Sequence, residues 1–290
     1  MTQFLDCRLA PVGGELATSV AVCEGTSIDN YTGLDMGTLL NAIGGQHVLI
    51  ATHGFNVNRA DGIACLSNWE SLLRLPEGSA FVGLLWPGDS IWAHGLDYPE
   101  EPRLADNAGV LIAEFLDTVF AGAASISFAS HSLGARVVLS TISNMSLPVR
   151  CLTLMAGAVD DDCLSNEFQA AAAKVGQISL LVSAKDEVLS CAFPAGNFLS
   201  GILAAGHPWW HAALGHAGAA TPWPSNLQAP FMIPDNWNYQ HSNYLQIDPP
   251  PAPVLPIPIG FPPNGSPCPA NGAPGWSEAF SAAFVSTRFR

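Results

Sequence analysis

The chain has 290 residues, of which 49% are hydrophobic and only 12% charged, and its formal net charge is −14. That length fits one α/β domain with insertions better than two independent domains, and so apolar a composition excludes disorder along the whole chain. The negative charge argues against nucleic acid and anionic lipid as partners, since both are polyanions, and favours a neutral substrate.

Met1–Asp6 shows no basic segment leading into a long apolar core, so no signal peptide is expected. No run of about 18 uninterrupted apolar residues suggests an integral membrane segment, and the expected location is cytoplasmic. Phe4–Leu9 and Thr18–Cys23 are short apolar runs separated by Pro11 and Gly13-Gly14, which predicts an antiparallel hairpin. Val48–Thr52, Ala80–Trp86, Ser125–Ser130, Cys151–Met155 and Ile178–Ser183 are continuous apolar runs, the mark of parallel strands covered on both faces. Between the second and third of these runs, Leu104, Ala108, Leu111, Ile112, Phe115 and Val119 share one helical face. A helix after most strands predicts an α/β fold, a mostly parallel sheet wound with helices on both faces. The helix of Ala135, Val137, Val138, Leu139, Ile142 and Met145 is apolar nearly all round and is expected to be central.

Residues 191–234 contain no Asp, Glu, Lys or Arg, are broken by Gly201, Gly206, Pro208, Pro222 and Pro224, and carry Trp209, Trp210 and Trp223. They read as an aromatic-rich cap or lid insertion. Eleven of the 23 prolines crowd into residues 248–277, which predicts an extended surface segment, and Glu278–Phe289 reads as a closing helix. The seven cysteines (Cys7, Cys23, Cys65, Cys151, Cys163, Cys191 and Cys268) are scattered without CxxC pairs and read as free buried thiols of a reducing compartment.

The chemistry centres on Ser130-His131-Ser132-Leu133-Gly134, a polar turn between an apolar strand and an apolar helix. This is the layout of a nucleophile elbow, with Ser130 where the common GxSxG pattern has glycine. Ser132 is the nucleophile candidate; its alternative is a helix N-cap, for which serine is well suited. Acyl transfer also needs oxyanion donors, a base and a carboxylate to orient the base. The donors proposed are the amides of Leu133 and, from the His53-Gly54-Phe55-Asn56 turn after an earlier strand, Phe55 and then Asn56; an ordinary turn is the alternative there. For the acid, Asp186 and Asp160 follow strands more directly than Asp161 or Asp162. Among the later histidines His207, His211, His216 and His241, the first three lie in the aromatic insertion, whereas His241 lies in a polar loop and is preferred. His53, Trp86, His131, Trp209, Trp210 and Trp223 are candidates to line a substrate pocket. No HExxH occurs and no glycine-rich phosphate loop, so neither metal nor cofactor is expected.

The ordered set HGFN (53–56), LLWPGDS (84–90), SHSLGARV (130–137), SAKDEVLS (183–190) and HSNY (241–244) resembles bacterial α/β-hydrolases of poorly assigned function that share an HGFN loop and an SHSxG elbow. The resemblance spans roughly residues 46–245. It implies an α/β-hydrolase fold and a triad of Ser132, Asp186 and His241; the triad together with the apolar, uncharged stretch 191–234 predicts a small hydrophobic ester as substrate. A thioesterase, an amidase, or an inactive scaffold holding a hydrophobic ligand or a partner protein are the competing readings, and the oligomeric state is left open.

Overall fold

The computed structural model describes residues 1–89, 101–192, 211–245 and 276–289. The chain opens with the antiparallel hairpin β1 (Thr2–Arg8) and β2 (Leu16–Gly25), to which the two-residue β3 (Thr32–Gly33) adds an edge. After α1 (Met36–Ile43) come β4 (His47–Thr52), α2 (Arg59–Leu72), β5 (Ser79–Leu85), α3 (Glu101–Val119), β6 (Ser125–His131), α4 (Gly134–Asn144), β7 (Val149–Met155), α5 (Gln169–Ala173) and β8 (Val175–Val182). They build one nine-stranded sheet in the order β3-β2-β1-β5-β4-β6-β7-β8-β9, parallel from β1 through the short edge strand β9 (Phe231–Met232). All five strands expected from the apolar runs are present, each within a few residues of its expected ends.

From β4 the chain first steps to β5 on one side and then crosses back to β6 on the other. The crossover helices therefore divide between the faces: α3 packs on α4, while α2 packs on the C-terminal helix α7 (Trp276–Arg288), which also reaches β7. The reversal leaves the loops after β4 and β6 side by side at the carboxyl edge, where an open α/β sheet offers a crevice. Eight residues of α4 are buried, as its all-round apolar sequence predicts.

Residues 211–234 of the expected cap run along the edge of the sheet. Ala212 O accepts from Asp161 N–H, Gly215 N–H donates to Gly157 O, Ile178 N–H donates to Asn226 O and Ile233 N–H donates to Val182 O. The short helix α6 (Leu214–Ala217) lies within this stretch. Gly215 approaches so closely that a Cβ there would fall 2.2 Å from the Ala156 carbonyl carbon. Trp209 and Trp210 fall outside the described residues, as does most of the proline-rich segment; its last two residues, Trp276 and Ser277, belong with α7 rather than with an extended chain. Of the cysteines, Cys7, Cys65, Cys151 and Cys163 are buried free thiols, Cys23 is half-buried and Cys191 is exposed. Among the described residues no helix is long and apolar enough to cross a membrane.

The α3–α4 contact supplies a test of packing. A Cβ on Gly109 would lie 2.5 Å from Ser140 Cβ and 2.8 Å from the Thr141 amide nitrogen. Helix propensity favours Ala over Gly by about 1 kcal/mol, but overpacking against backbone costs about 1–3 kcal/mol. Gly109→Ala is therefore expected to lower the urea midpoint, and an unchanged or raised midpoint would show that α3 and α4 can part at no cost.

Candidate active site

The elbow forms where β6 stops. Ser132 takes φ 55°, the left-handed region that a non-glycine residue rarely enters. Its amide donates to Met155 O (3.1 Å), and its carbonyl accepts from Ala135 (3.0 Å) and Ala158 (3.1 Å). The helix begins at Gly134, with Leu133 as N-cap and no side-chain cap, so Ser132 is not serving as the cap. Space for the bend comes from two glycines. A Cβ on Gly134 would sit 2.4 Å from His53 O, and one on Gly54 would sit 2.6 Å from Ser132 Cβ. Ser130, where the motif commonly has glycine, is fully buried in β6 beside Thr52 and Leu154.

Ser132 Oγ lies 2.8 Å from His241 Nε2, and His241 Nδ1 lies 2.7 Å from Asp186 Oδ2. The carboxylate makes Nδ1 the protonated nitrogen, which leaves Nε2 to accept the serine hydroxyl proton. Asp186 follows β8, is fully buried, and takes a further hydrogen bond on Oδ1 from Leu189 N–H (3.0 Å). His241 opens a single 3₁₀ turn, His241–Asn243, whose flanks are tied down by Gln240 N–H to Asn243 Oδ1 (2.6 Å) and by Ser183 Oγ–H to Tyr239 O (2.6 Å). The structure thus brings together Ser132, His241 and Asp186.

Two of the rival acids, Asp161 and Asp162, face His211 instead. His211 Nδ1 is 2.8 Å from Asp161 Oδ1 and its Nε2 is 3.7 Å from Asp162 Oδ2. These three residues are the one group among the described residues whose ligand atoms, within 4.8 Å of one another, could hold a metal ion. Both ring nitrogens already face carboxylates, and the hydrogen bond to Asp161 raises the His211 pKa. His216 sits on α6, and His207 lies outside the described residues.

At the opposite side of Ser132 lies the loop after β4. The Asn56 amide donates to Gly88 O at 2.6 Å and so is taken, which removes it from the three expected oxyanion donors. Leu133 N–H makes no hydrogen bond to a described residue, and Phe55 lies in the loop beside Gly54. His53 and Trp86 are buried beneath this loop, presenting almost no surface of their own: Trp86 Nε1–H donates to His53 O (3.0 Å) and the two rings stack 6.0 Å apart. Burial lowers the His53 pKa to about 3. His131 is also buried, with Nε2 2.9 Å from His241 O. Trp223 is 45% exposed, its indole donating to Ala219 O (2.8 Å).

The sequence reading missed the N-terminal support of this loop. Arg8, at the end of β1, donates to Trp86 O (2.8 Å) and Val57 O (3.1 Å) and pairs with buried Asp89. Asp89 also accepts from Gly13 N–H (3.0 Å), and Arg59 meets Asp6 at 2.7 Å. A charge within a strand that is otherwise buried, in a chain so poor in charge, is the signal that could have found it.

A family model described as "Alpha/beta hydrolase of unknown function (DUF900)" matches residues 34–198. The chain belongs to this α/β-hydrolase family. The match takes in Phe55, Ser132 and Asp186 and stops short of His241. No curated protein matches the sequence. Among solved structures, the hydrolase is similar to a protein described as a "predicted CIB-like hydrolase" from Thermoplasma acidophilum, with 17% identity, 69% of this chain and 79% of that one covered, and a TM-score of 0.38. It is similar also to esterase PE8 (16% identity, 69% and 87% covered, TM-score 0.37) and to the Pyrococcus furiosus esterase Pf2001 (12%, 74% and 81%, 0.32).

The titrating groups give a prediction with opposite signs. The His53 pKa falls from 6.5 to about 3, so between these values the unfolded chain binds the extra proton and stability is lost as pH falls from about 6.5. His211, raised by its carboxylate partner, contributes at low pH and loses that contribution as pH rises through its raised pKa. Histidine ring proton NMR is expected to show His53 neutral at pH 5 and His211 titrating above 6.5, with Asp161→Asn bringing the latter down; a His53 midpoint near 6.5 would contradict its burial.

Proposed function

We propose that this α/β hydrolase is a serine esterase that cleaves carboxylic esters of neutral, hydrophobic substrates through a Ser132–His241–Asp186 triad and an acyl-enzyme intermediate. The observation that carries the reading is the unbroken hydrogen-bonded relay from Ser132 Oγ through both nitrogens of His241 to a buried carboxylate. A scaffold that only held a ligand would have no use for it.

In this mechanism Ser132 Oγ attacks the ester carbonyl while His241 Nε2 takes its proton. Asp186 holds the imidazole in the required tautomer and stabilises the imidazolium without itself becoming protonated. The amides of Leu133 and Phe55 receive the oxyanion, each donor supplying about 3 kcal/mol of barrier reduction. His241 then protonates the leaving alkoxide and activates the water that releases the acyl group. Neutral substrates follow from the net charge of −14, which would repel anionic ones.

A panel of p-nitrophenyl esters tests the chemistry, with turnover expected for uncharged acyl chains; none at any chain length between pH 6 and 9 would sink the esterase reading. A fluorophosphonate probe should leave its adduct on the Ser132 peptide and nowhere else. Ser132→Ala is expected to lower kcat by about 10⁴ or more and Asp186→Asn by about 10⁴, both with the fold retained by circular dichroism.

A further inference from the structure

His131 immediately precedes Ser132, and its side chain turns to the base. Its Nε2 is 2.9 Å from the carbonyl oxygen of His241, and the two rings lie 4.7 Å apart. On its other flank the Tyr244 ring is centred 5.6 Å away, and Tyr244 is held in turn by Ser281 of α7, whose hydroxyl donates to Tyr244 O (2.7 Å). A carbonyl only accepts, so Nε2 of His131 carries the hydrogen. We propose that His131 is a positioning residue for the esterase reaction, fastening the backbone of His241 to the residue next to the nucleophile so that base and nucleophile move as one unit.

The proposal rests on the esterase reading above and adds a residue to it. His241 reaches Ser132 from a loop more than a hundred residues away in sequence, on a single 3₁₀ turn. Its ring can keep 2.8 Å to Oγ only while its backbone holds station against the elbow, and a displacement of about 1 Å is enough to lose about a hundred-fold in rate. The His131 bond ties that backbone to the peptide unit that leads into Ser132. Histidine suits the task better than lysine or arginine because it can be neutral. Burial and the adjacent His241 hold its pKa well below the ordinary value, so no second positive charge opposes the imidazolium that forms on His241. If His131 only filled space, an apolar ring would do as well.

Three substitutions separate these roles on the full chain, with kcat and KM measured on a neutral p-nitrophenyl ester alongside the thermal midpoint. His131→Phe keeps the ring and removes the donor. In His131→Gln the amide nitrogen reaches the place of Nε2, whereas in His131→Asn it reaches only that of Nδ1. The Phe and Asn variants are expected to lose roughly ten-fold in kcat with KM within about two-fold of wild type, and Gln to recover most of the loss. Should the Phe variant fail to fold, the Gln-to-Asn ratio of kcat decides. Equal kcat in Gln and Asn, or a Phe variant as fast as wild type, would overturn the assignment of His131 while leaving the esterase standing. A wild-type chain that neither turns over esters nor takes the fluorophosphonate on Ser132 would overturn both.

Discussion

The left-handed backbone of Ser132 is the constraint on which the site is built. A non-glycine residue there costs about 1–3 kcal/mol, and the three hydrogen bonds, one donated to Met155 O and two accepted from Ala135 and Ala158, each worth about 1 kcal/mol net, are of the size needed to hold it. The bend also needs room, since the elbow presses against the loop after β4. Gly134 meets the His53 carbonyl and Gly54 meets the Ser132 side chain, at distances that no Cβ could share. The small residues demanded by the turn are therefore these two, and Ser130, buried within β6, is free to be something other than glycine.

The parts that converge on Ser132 come from distant places, and each has its own anchor. Asp186 stands at the end of a buried strand, where Leu189 N–H and His241 use both its oxygens. The His241 turn hangs between β8 and α7: Ser183 holds Tyr239, the Tyr239 hydroxyl donates to Ser277 O (2.6 Å), and Ser281 holds Tyr244. Ser281 accepts from Trp69 Nε1–H of α2 (2.9 Å) as well, so two helices on the same face of the sheet are tied to this turn. The C-terminal helix thus acts on the site without contributing a residue to it.

On the other side, the buried pair Arg8 and Asp89 carries the loops after β4 and β5. Ten Lys and Arg residues serve the whole chain, and Arg8 is placed where it meets three carbonyls and a carboxylate away from water. Removing one member of such a pair typically costs about 3–5 kcal/mol, because the other is left charged and unpaired. The Asn56 amide, bonded to Gly88 O, joins the two loops directly. Rigidity in this loop matters for chemistry, since donors to an oxyanion stabilise charge best when they need not move.

Period and punctuation were enough to read the five central parallel strands, the hairpin, the apolar helix after the elbow and the closing helix, because both-face burial writes continuous apolar runs and amphipathic packing writes a 3.6-residue repeat. Chain order narrowed the site as well: a serine in a strand-to-helix turn, an acid after a later strand, a histidine beyond. The residues alone could not separate Asp186 from Asp160, nor show that the Asn56 amide is occupied, that His53 and Trp86 lie under the loop, or that Arg8 and His131 support the site. Those are matters of which atoms from remote segments share a few ångströms. Hydrogen bonds between side chains 55 and 109 positions apart leave no periodic trace in a sequence, and only the packed sheet and its reversal between β5 and β6 bring their partners together.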